Sequence, residues 1–510
     1  MDSRSKNSVR NIFTGVGNRV LQMVLAFVTR TLQVYILGSL FLGLSGLFTS
    51  ILTVLSLSEL GFGSALVYSM YKPAAEGNVS KLCALLNYYK KIYRIIGCGT
   101  FIIGILLVPF LPKLINGDVP ENINLYIVYF IYLFNASVSY FAFAHKKALL
   151  TAYQRSDILN NISSVISVVS PLLQIAILVI THNYYLYISV LPIFTIAENI
   201  WVEYICRKKY PNLVCNGEIS KDERKKLMEH VKGIALQKIC STSRNGISSI
   251  IISMFLGLNA IAMYNNYYYI MISVHAIMYM IPNAIRASVG NSIASESLEK
   301  NYKDFNTFWF MYLWIRSVAA LLMLCIYQPF MKLWMGETLM LPTRTMTLFI
   351  VYFILLSIGD IVALYKDAAG LWWQGRYRVG IEAVANIILN FLFGYLWGID
   401  GIMIATILTL LFLGNGYGSY IVFRHYLGID KYMKYIREML LYILLFVIVG
   451  GGIYIVCIAL PLDGILAVII RALICSVLSN GLFLLIFRKH NYFKSSKVLL
   501  SNIKQVSFKR

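Results

Sequence analysis

Two arginines and two glutamines share one face of the first apolar stretch of the chain. At about 100° per helical residue, Arg19, Gln22, Arg30 and Gln33 fall within an arc of about 80°, with Ala26 between them. Leu21, Leu25, Phe27 and Val28 point elsewhere. A later stretch repeats the arrangement: Lys238, Ser241, Thr242, Asn245 and Ser249 share a face, flanked by Gln237, Arg244 and Ser248. A charged side chain at the centre of a bilayer costs at least about 2.5–3.5 kcal/mol, so these residues must meet a partner or water. Two readings stand. Either the polar residues bond neighbouring helices together, or they line a wet lumen, for which Lys238 is the strongest member because packing alone does not require it. Arg316 is a further lumen candidate. Among the acids, Glu59, Glu198, Asp360 and Glu382 can either neutralise buried arginines or take up and release a coupling proton or cation; Glu59, Asp360 and Glu382 are the coupling or gating candidates. Arg286 and Arg471 lie nearer span ends, within reach of head groups. Seven basic against four acidic residues in the spans favour an anionic ligand.

The elements that position these groups follow from composition. Of 510 residues, 58% are apolar and 13% charged, against about 45–50% and 25% in soluble domains. Mean hydropathy is +0.69. Such a chain dissolves in a bilayer, where a helix needs about 20 apolar residues to cross. Fourteen segments qualify: roughly 11–37, 45–70, 92–111, 123–144, 158–180, 184–206, 233–257, 262–288, 307–329, 344–365, 379–398, 401–423, 438–458 and 465–487. The runs are too long for the strands of a membrane barrel. The first is interrupted by Arg19 and Arg30 and lacks a small-residue cleavage site, so it reads as a mature helix and not a signal peptide.

Thirty-five of the 45 Lys and Arg fall on the termini and one alternating set of loops, and only Lys113, Lys332 and Arg344 on the other set. Positive charge favours the cytoplasmic side, which predicts both termini inside. The net charge of +22 is then topology, and no nucleic-acid partner is expected. Eight scattered cysteines without a CxxC pair argue against disulfides or zinc. The six histidines are isolated in sequence, and no phosphate loop, HExxH, GxSxG or acidic metal cluster appears. The expectation is a non-enzyme without cofactor, save a coupling H+ or Na+. Tyr264–Tyr269 and Asn183–Tyr187 read as interfacial anchors, with sugar stacking the sharper alternative.

Transporters are commonly built from repeated halves, and a shift of 219 lays Leu37-Gly38 on Leu256-Gly257 and Arg19 on Lys238. A shift of 220 lays His145–Ala148 on Tyr365–Ala368 and Tyr153-Gln154 on Trp373-Gln374. The predicted architecture is all-α: a six-helix lobe at 1–206, a charged linker at 207–232, a second six-helix lobe at 233–425, a helix pair at 426–488 and a basic tail at 489–510. The two lobes would be pseudo-symmetric about a central cavity.

The segment Gly43–Phe48 through Leu57–Ala65, ending in Tyr71–Glu76, resembles the Wzx-type polysaccharide flippases. So do Leu333–Gly336 and Lys366–Gln374 followed by Ile381–Asn386. These belong to the multidrug/oligosaccharidyl-lipid/polysaccharide exporter superfamily. The resemblance implies transfer of an undecaprenyl-pyrophosphate-linked oligosaccharide to the outer leaflet of the bacterial cytoplasmic membrane. It also implies a cationic lumen, matched here by Arg19, Arg30 and Lys238 and extended by Gln22, Gln33, Arg244, Asn245 and Arg316. Partners would be that lipid-linked oligosaccharide, membrane lipids, and the polymerase and glycosyltransferases of surface-polysaccharide synthesis. A cation-coupled drug or metabolite exporter of the same superfamily is the alternative.

Overall fold

The computed structural model describes the backbone of residues 2–56, 62–141 and 145–496; the side chains of 2–16, 18, 19, 64, 65, 226, 230 and 232–245 lie outside the description. The fold is all-α, as the apolar runs require, since a helix satisfies its own backbone polar groups where no water can. Among the described residues, ten helices are long and apolar enough to cross a membrane, or eleven if α5 (Leu125–Phe141) and α6 (His145–Ala152), bent by 49°, form one span. Two of the ten are broken by a glycine. Gly257 interrupts α9 (Lys221–Met278), and Gly398 interrupts α13 (Arg376–Thr409). Each therefore houses two of the expected segments, and the helices are compatible with fourteen spans in a multi-pass membrane protein.

The chain forms two compact units, Met1–Ala262 and Met263–Arg510. The first contains α1 (Asp2–Leu37), α2 (Ser39–Leu55), α3 (Phe62–Ala75), α4 (Val79–Leu107), α5, α6, α7 (Ser156–Thr181), α8 (Tyr184–Lys209) and most of α9. Its core joins Leu66 and Met70 of α3, Leu82, Leu86 and Tyr89 of α4, Leu149 of α6 and Val202 of α8. The charged linker is folded onto this core through Leu213, Ile219, Leu227 and Val231. Polar ties hold it there: Asn87 Nδ2 donates to Gly217 O at 2.8 Å, Lys146 Nζ to Leu213 O at 3.3 Å, and Lys81 pairs with Glu223 at 2.5 Å.

The second unit contains the end of α9, α10 (Met280–Ser295), α11 (Leu298–Met335), α12 (Thr343–Ala368), α13, α14 (Gly418–Val422), α15 (Tyr432–Ile458) and α16 (Gly464–Phe487). Phe305, Trp309, Phe423 and Tyr435 pack ring to ring. The α15–α16 pair seats on α11 through Leu321, Cys325, Ile453, Cys457 and Cys475, and Trp314 stacks on Phe483 with centroids 5.3 Å apart.

The repeat is visible in backbone geometry. Gly38 (φ 103°, ψ 165°) and Gly257 (φ 81°, ψ −177°) are 219 residues apart and adopt nearly the same conformation. Gly117 and Gly336, at φ 84° and 78°, repeat the match at that offset. Residues with a Cβ avoid this region, which is why glycine stands at the breaks. Helices α4 and α11 start at Val79 and Leu298, again 219 apart. Each has a side-chain N-cap, from Asn78 and Ser297 respectively.

Candidate functional site

In the first unit, the described members of the α1 stripe, Gln22, Arg30 and Gln33, are partly or fully buried. Val20, Leu21, Val24 and Val28 are exposed, whereas Leu25, Thr29 and Gln33 are buried. Gln22 Nε2 donates to Ser167 Oγ of α7 at 2.7 Å, and Gln33 Nε2 to Ser45 Oγ of α2 at 2.9 Å. Tyr187 OH of α8 donates to Gln33 Oε1 at 3.4 Å, and Ser45 Oγ also meets Tyr184 OH at 2.8 Å. Gln22 and Gln33 thus bridge four helices, as polar glue does in membranes. Arg30 is half-buried on the same face. The side chains of Arg19, Lys238, Arg244 and Asn245 lie outside the described residues, as does Glu59 entirely.

Tyr184, Tyr187, Tyr264 and Tyr267 are buried within the protein. The hydroxyls of three of them reach polar partners: Tyr184 meets Ser45, Tyr187 donates to Gln33, and Tyr267 OH donates to Gln328 Oε1 at 2.7 Å. A buried phenol with a partner is stable there, and spacing in sequence does not separate that case from an interfacial one.

In the second unit the structure brings two predicted residues together. Arg316 of α11 is fully buried and its Nη2 donates to Asp360 Oδ2 of α12 at 2.6 Å. The same nitrogen contacts Tyr312 OH, one turn earlier on α11, and His275 Nδ1 of α9 at 3.3 Å. Tyr312 OH donates to Asp360 Oδ2 at 2.6 Å, and His275 Nε2 stands 3.9 Å from Asp360 Oδ1. The guanidinium also lies over the rings of Tyr312 and Phe353, 4.8 and 4.9 Å from their centroids. Arg316 Nε and Nη1 have no hydrogen-bond partner. His275 and Tyr312 were absent from the sequence reading; the i, i+4 spacing of Tyr312 and Arg316 was the available signal.

Glu382, nearly fully buried on α13, sits apart from this group. Its carboxylate accepts from Arg378 Nη1 at 3.1 Å. The same Nη1 donates to the carbonyls of Leu413 and Gly414 at 3.2 and 3.1 Å. Those carbonyls belong to Leu410–Tyr417, which is wound as a π-helix. Such segments carry an extra residue and are frequent at functional sites. Asn386 and Asn390 continue the polar face: Asn386 Nδ2 donates to Thr409 Oγ1 at 3.0 Å and Asn390 Nδ2 to Asn386 Oδ1 at 2.8 Å. Arg286, at the end of the second unit where Lys366 and Asp367 lie, pairs with Asp367 at 3.6 Å. Arg471 donates to Leu460 O at 3.5 Å. In the first unit, a cleft of about 630 Å³ lies between Tyr71, Lys72, Ala75, Ala152, Tyr153 and Gln154. It joins the end of α3 to the turn after α6.

No family model matches this sequence, and no curated protein matches it. Solved structures do. A lipid II flippase, MurJ, in an inward closed conformation is similar with a TM-score of 0.66 at 13% identity, covering 94% of this chain and 98% of that one. A multidrug resistance MATE family transporter of the MOP superfamily, inward-facing, gives 0.62 at 14% identity over 78% of this chain and 93% of its own. The eukaryotic MATE transporter AtDTX14 gives 0.53 at 15% identity over 83% of this chain and 96% of its own. The chain has the fold of these transporters.

Proposed function

We propose that this protein is a flippase of the multidrug/oligosaccharidyl-lipid/polysaccharide exporter superfamily. It carries polyprenyl-pyrophosphate-linked oligosaccharide from the inner to the outer leaflet of the bacterial cytoplasmic membrane for surface-polysaccharide synthesis. The observation that carries the reading is the likeness to a lipid flippase over 94% of this chain, against 78% and 83% for the two drug-transporter structures. The Wzx-like segments and the excess of basic over acidic residues in the spans support it further. A pyrophosphate needs cations in a site that excludes hydrocarbon, and Arg19, Arg30 and Lys238 would supply them while the polyprenyl tail stays in lipid. Gln22, Gln33, Arg244, Asn245 and Arg316 complete the proposed polar site, and Glu59, Asp360 and Glu382 are its coupling or gating acids. Two lobes, joined by the linker and with both termini inside, would expose that site to each leaflet in turn. The protein performs no covalent chemistry in this scheme.

The test is reconstitution in vesicles with a fluorescent polyprenyl-pyrophosphate oligosaccharide. Wild type is expected to move the label between leaflets, and Arg30→Ala and Lys238→Ala to slow it by about tenfold or more while remaining in the membrane. Full activity in both variants overturns the cationic-site assignment. Transport of cationic drugs with no movement of the labelled lipid would favour the exporter alternative.

A further inference from the structure

We propose that the cleft at the end of α3 binds a sugar of the transported oligosaccharide through Gln154, Tyr71 and Tyr153. This rests on the flippase reading for its cargo, and it adds a glycan-reading site built from residues other than the cationic stripe of α1. The cleft, of about 630 Å³, falls in the size range of small-molecule sites. Its lining comes from the loops at 71–94 and 145–157, both in the basic set predicted to face the cytoplasm. A glycan carried by a lipid of the inner leaflet arrives on that side.

Three observations carry the inference. First, the cleft holds a side chain where the fold asks for glycine. Helices α3, α6 and α12 end in the same left-handed cap, in which one residue donates three positions back and the next donates five back. α3 closes on Gly77 and α12 on Gly370, at φ 65° and 69°, whereas α6 closes on Gln154, at φ 56°. A Cβ is disfavoured in that region, and residues held there gather at ligand clamps. Of the three caps, the one that lines the cleft carries the strained residue.

Second, the polar ends on the lining are unspent. The Gln154 amide can donate two hydrogen bonds and accept two, and the Tyr71 hydroxyl can do both. Both residues are exposed, and neither side chain makes a hydrogen bond among the described residues. The second unit ties down the corresponding helix end. Ser292, 220 residues after Lys72, donates from Oγ to Asn301 Oδ1 at 3.0 Å. Asn301 Nδ2 donates in turn to the carbonyls of Ser292 and Ser297, each at 3.1 Å. Leu82 stands 219 residues before Asn301 and has no amide with which to do the same.

Third, ring and charge select the class of ligand. Tyr153 is held in place by Tyr210 of the linker, with centroids 4.5 Å and planes 24° apart, so little ordering cost remains to be met on binding. Lys72, the charged member of the lining, meets Glu76 at 3.8 Å. Arg155, next along the chain from Gln154, pairs with Asp157 at 2.9 Å. Each cation has its own carboxylate, so an anionic head group finds no surplus charge. A pyranose fits better: its C–H face packs on aromatic carbon, and its neighbouring hydroxyls need an amide and a phenol that both donate and accept.

The experiment applies the full chain, fluorescently labelled in lipid nanodiscs, to an array of tagged bacterial di- and trisaccharides. Wild type should bind a subset, and Gln154→Gly and Tyr71→Phe should each weaken that binding by about tenfold. Gln154→Gly also relieves the left-handed backbone, so it should melt at or above the wild-type temperature. Lost binding in a protein that folds as well or better separates recognition from structure. A wild type that binds no glycan, or binding unchanged in both folded variants, overturns the site. Competition by glycerol 1-phosphate as strong as that by the free sugar assigns the cleft to a lipid head group and also overturns it. Movement of the fluorescent lipid-linked oligosaccharide is scored separately in vesicles. Its absence from wild type, with array binding still sensitive to Gln154, counts against the flippase reading and leaves the sugar site standing.

Discussion

Removing the Arg378 side chain is the sharpest test of how the second unit holds its π-wound segment. One nitrogen of Arg378 serves the carboxylate of Glu382 and the carbonyls of Leu413 and Gly414, all within 3.2 Å. Only 14% of the Arg378 side chain and 2% of Glu382 are exposed. Arg378→Ala takes a charged donor from a buried carboxylate, a loss of about 3–5 kcal/mol, and removes one donor from each of two carbonyls. Glu382→Gln keeps both carbonyl contacts and an acceptor oxygen, so it forfeits only the charge assistance, about 1–2 kcal/mol. Thermal unfolding followed by tryptophan fluorescence should rank the proteins wild type, Glu382→Gln, then Arg378→Ala, with the last well separated. Exchange in 405–420 should rise most in Arg378→Ala. If Arg378→Ala unfolds like wild type, or if Glu382→Gln costs as much as Arg378→Ala, the clamp described here is wrong.

Gly43→Ala should destabilise the first unit by about 1–3 kcal/mol or more, because its Cβ would meet the backbone carbonyl of Leu258, with the carbonyl carbon at 2.7 Å; the same melt reads it, and a neutral result would mean α2 and α9 can separate freely. A pH effect is expected at the linker, where donation from Lys81 holds the Glu223 carboxyl below its ordinary range. Its folded pKa being depressed, the stabilisation is present above the unfolded value, about 4.3, and is lost as pH falls through the folded one. Both groups are well exposed, so the effect is under about 1 kcal/mol. Faster exchange of 210–225 below pH 4, absent in Lys81→Met, is the expected signature.

The spans were legible because lipid demands long apolar runs, and the duplication because a left-handed break admits little but glycine: Gly38 and Gly257 stand out in sequence and adopt one conformation in the fold. Arg316 and Asp360 were each legible as costly in a bilayer. Their meeting was not, since it depends on how α11 and α12 face one another. His275 was hidden for the same reason: isolated in sequence, it acquires chemistry only beside two other helices. Arg378 was missed because the apolar run begins after it, whereas α13 starts two residues earlier, at Arg376. Gln22 and Gln33 were read on one stripe, and both bond to neighbouring helices.

The winding of residues 410–427 has a further consequence. Two π stretches, Leu410–Tyr417 and Phe423–Leu427, flank the single α-helical turn of α14. Each holds a surplus residue relative to an α-helix. Expelling one residue from either would swivel everything beyond it by about 100° and shift it about 1.5 Å along the axis, with no helix unravelled. Arg378 holds the first of the two stretches in its present winding through the carbonyls of Leu413 and Gly414.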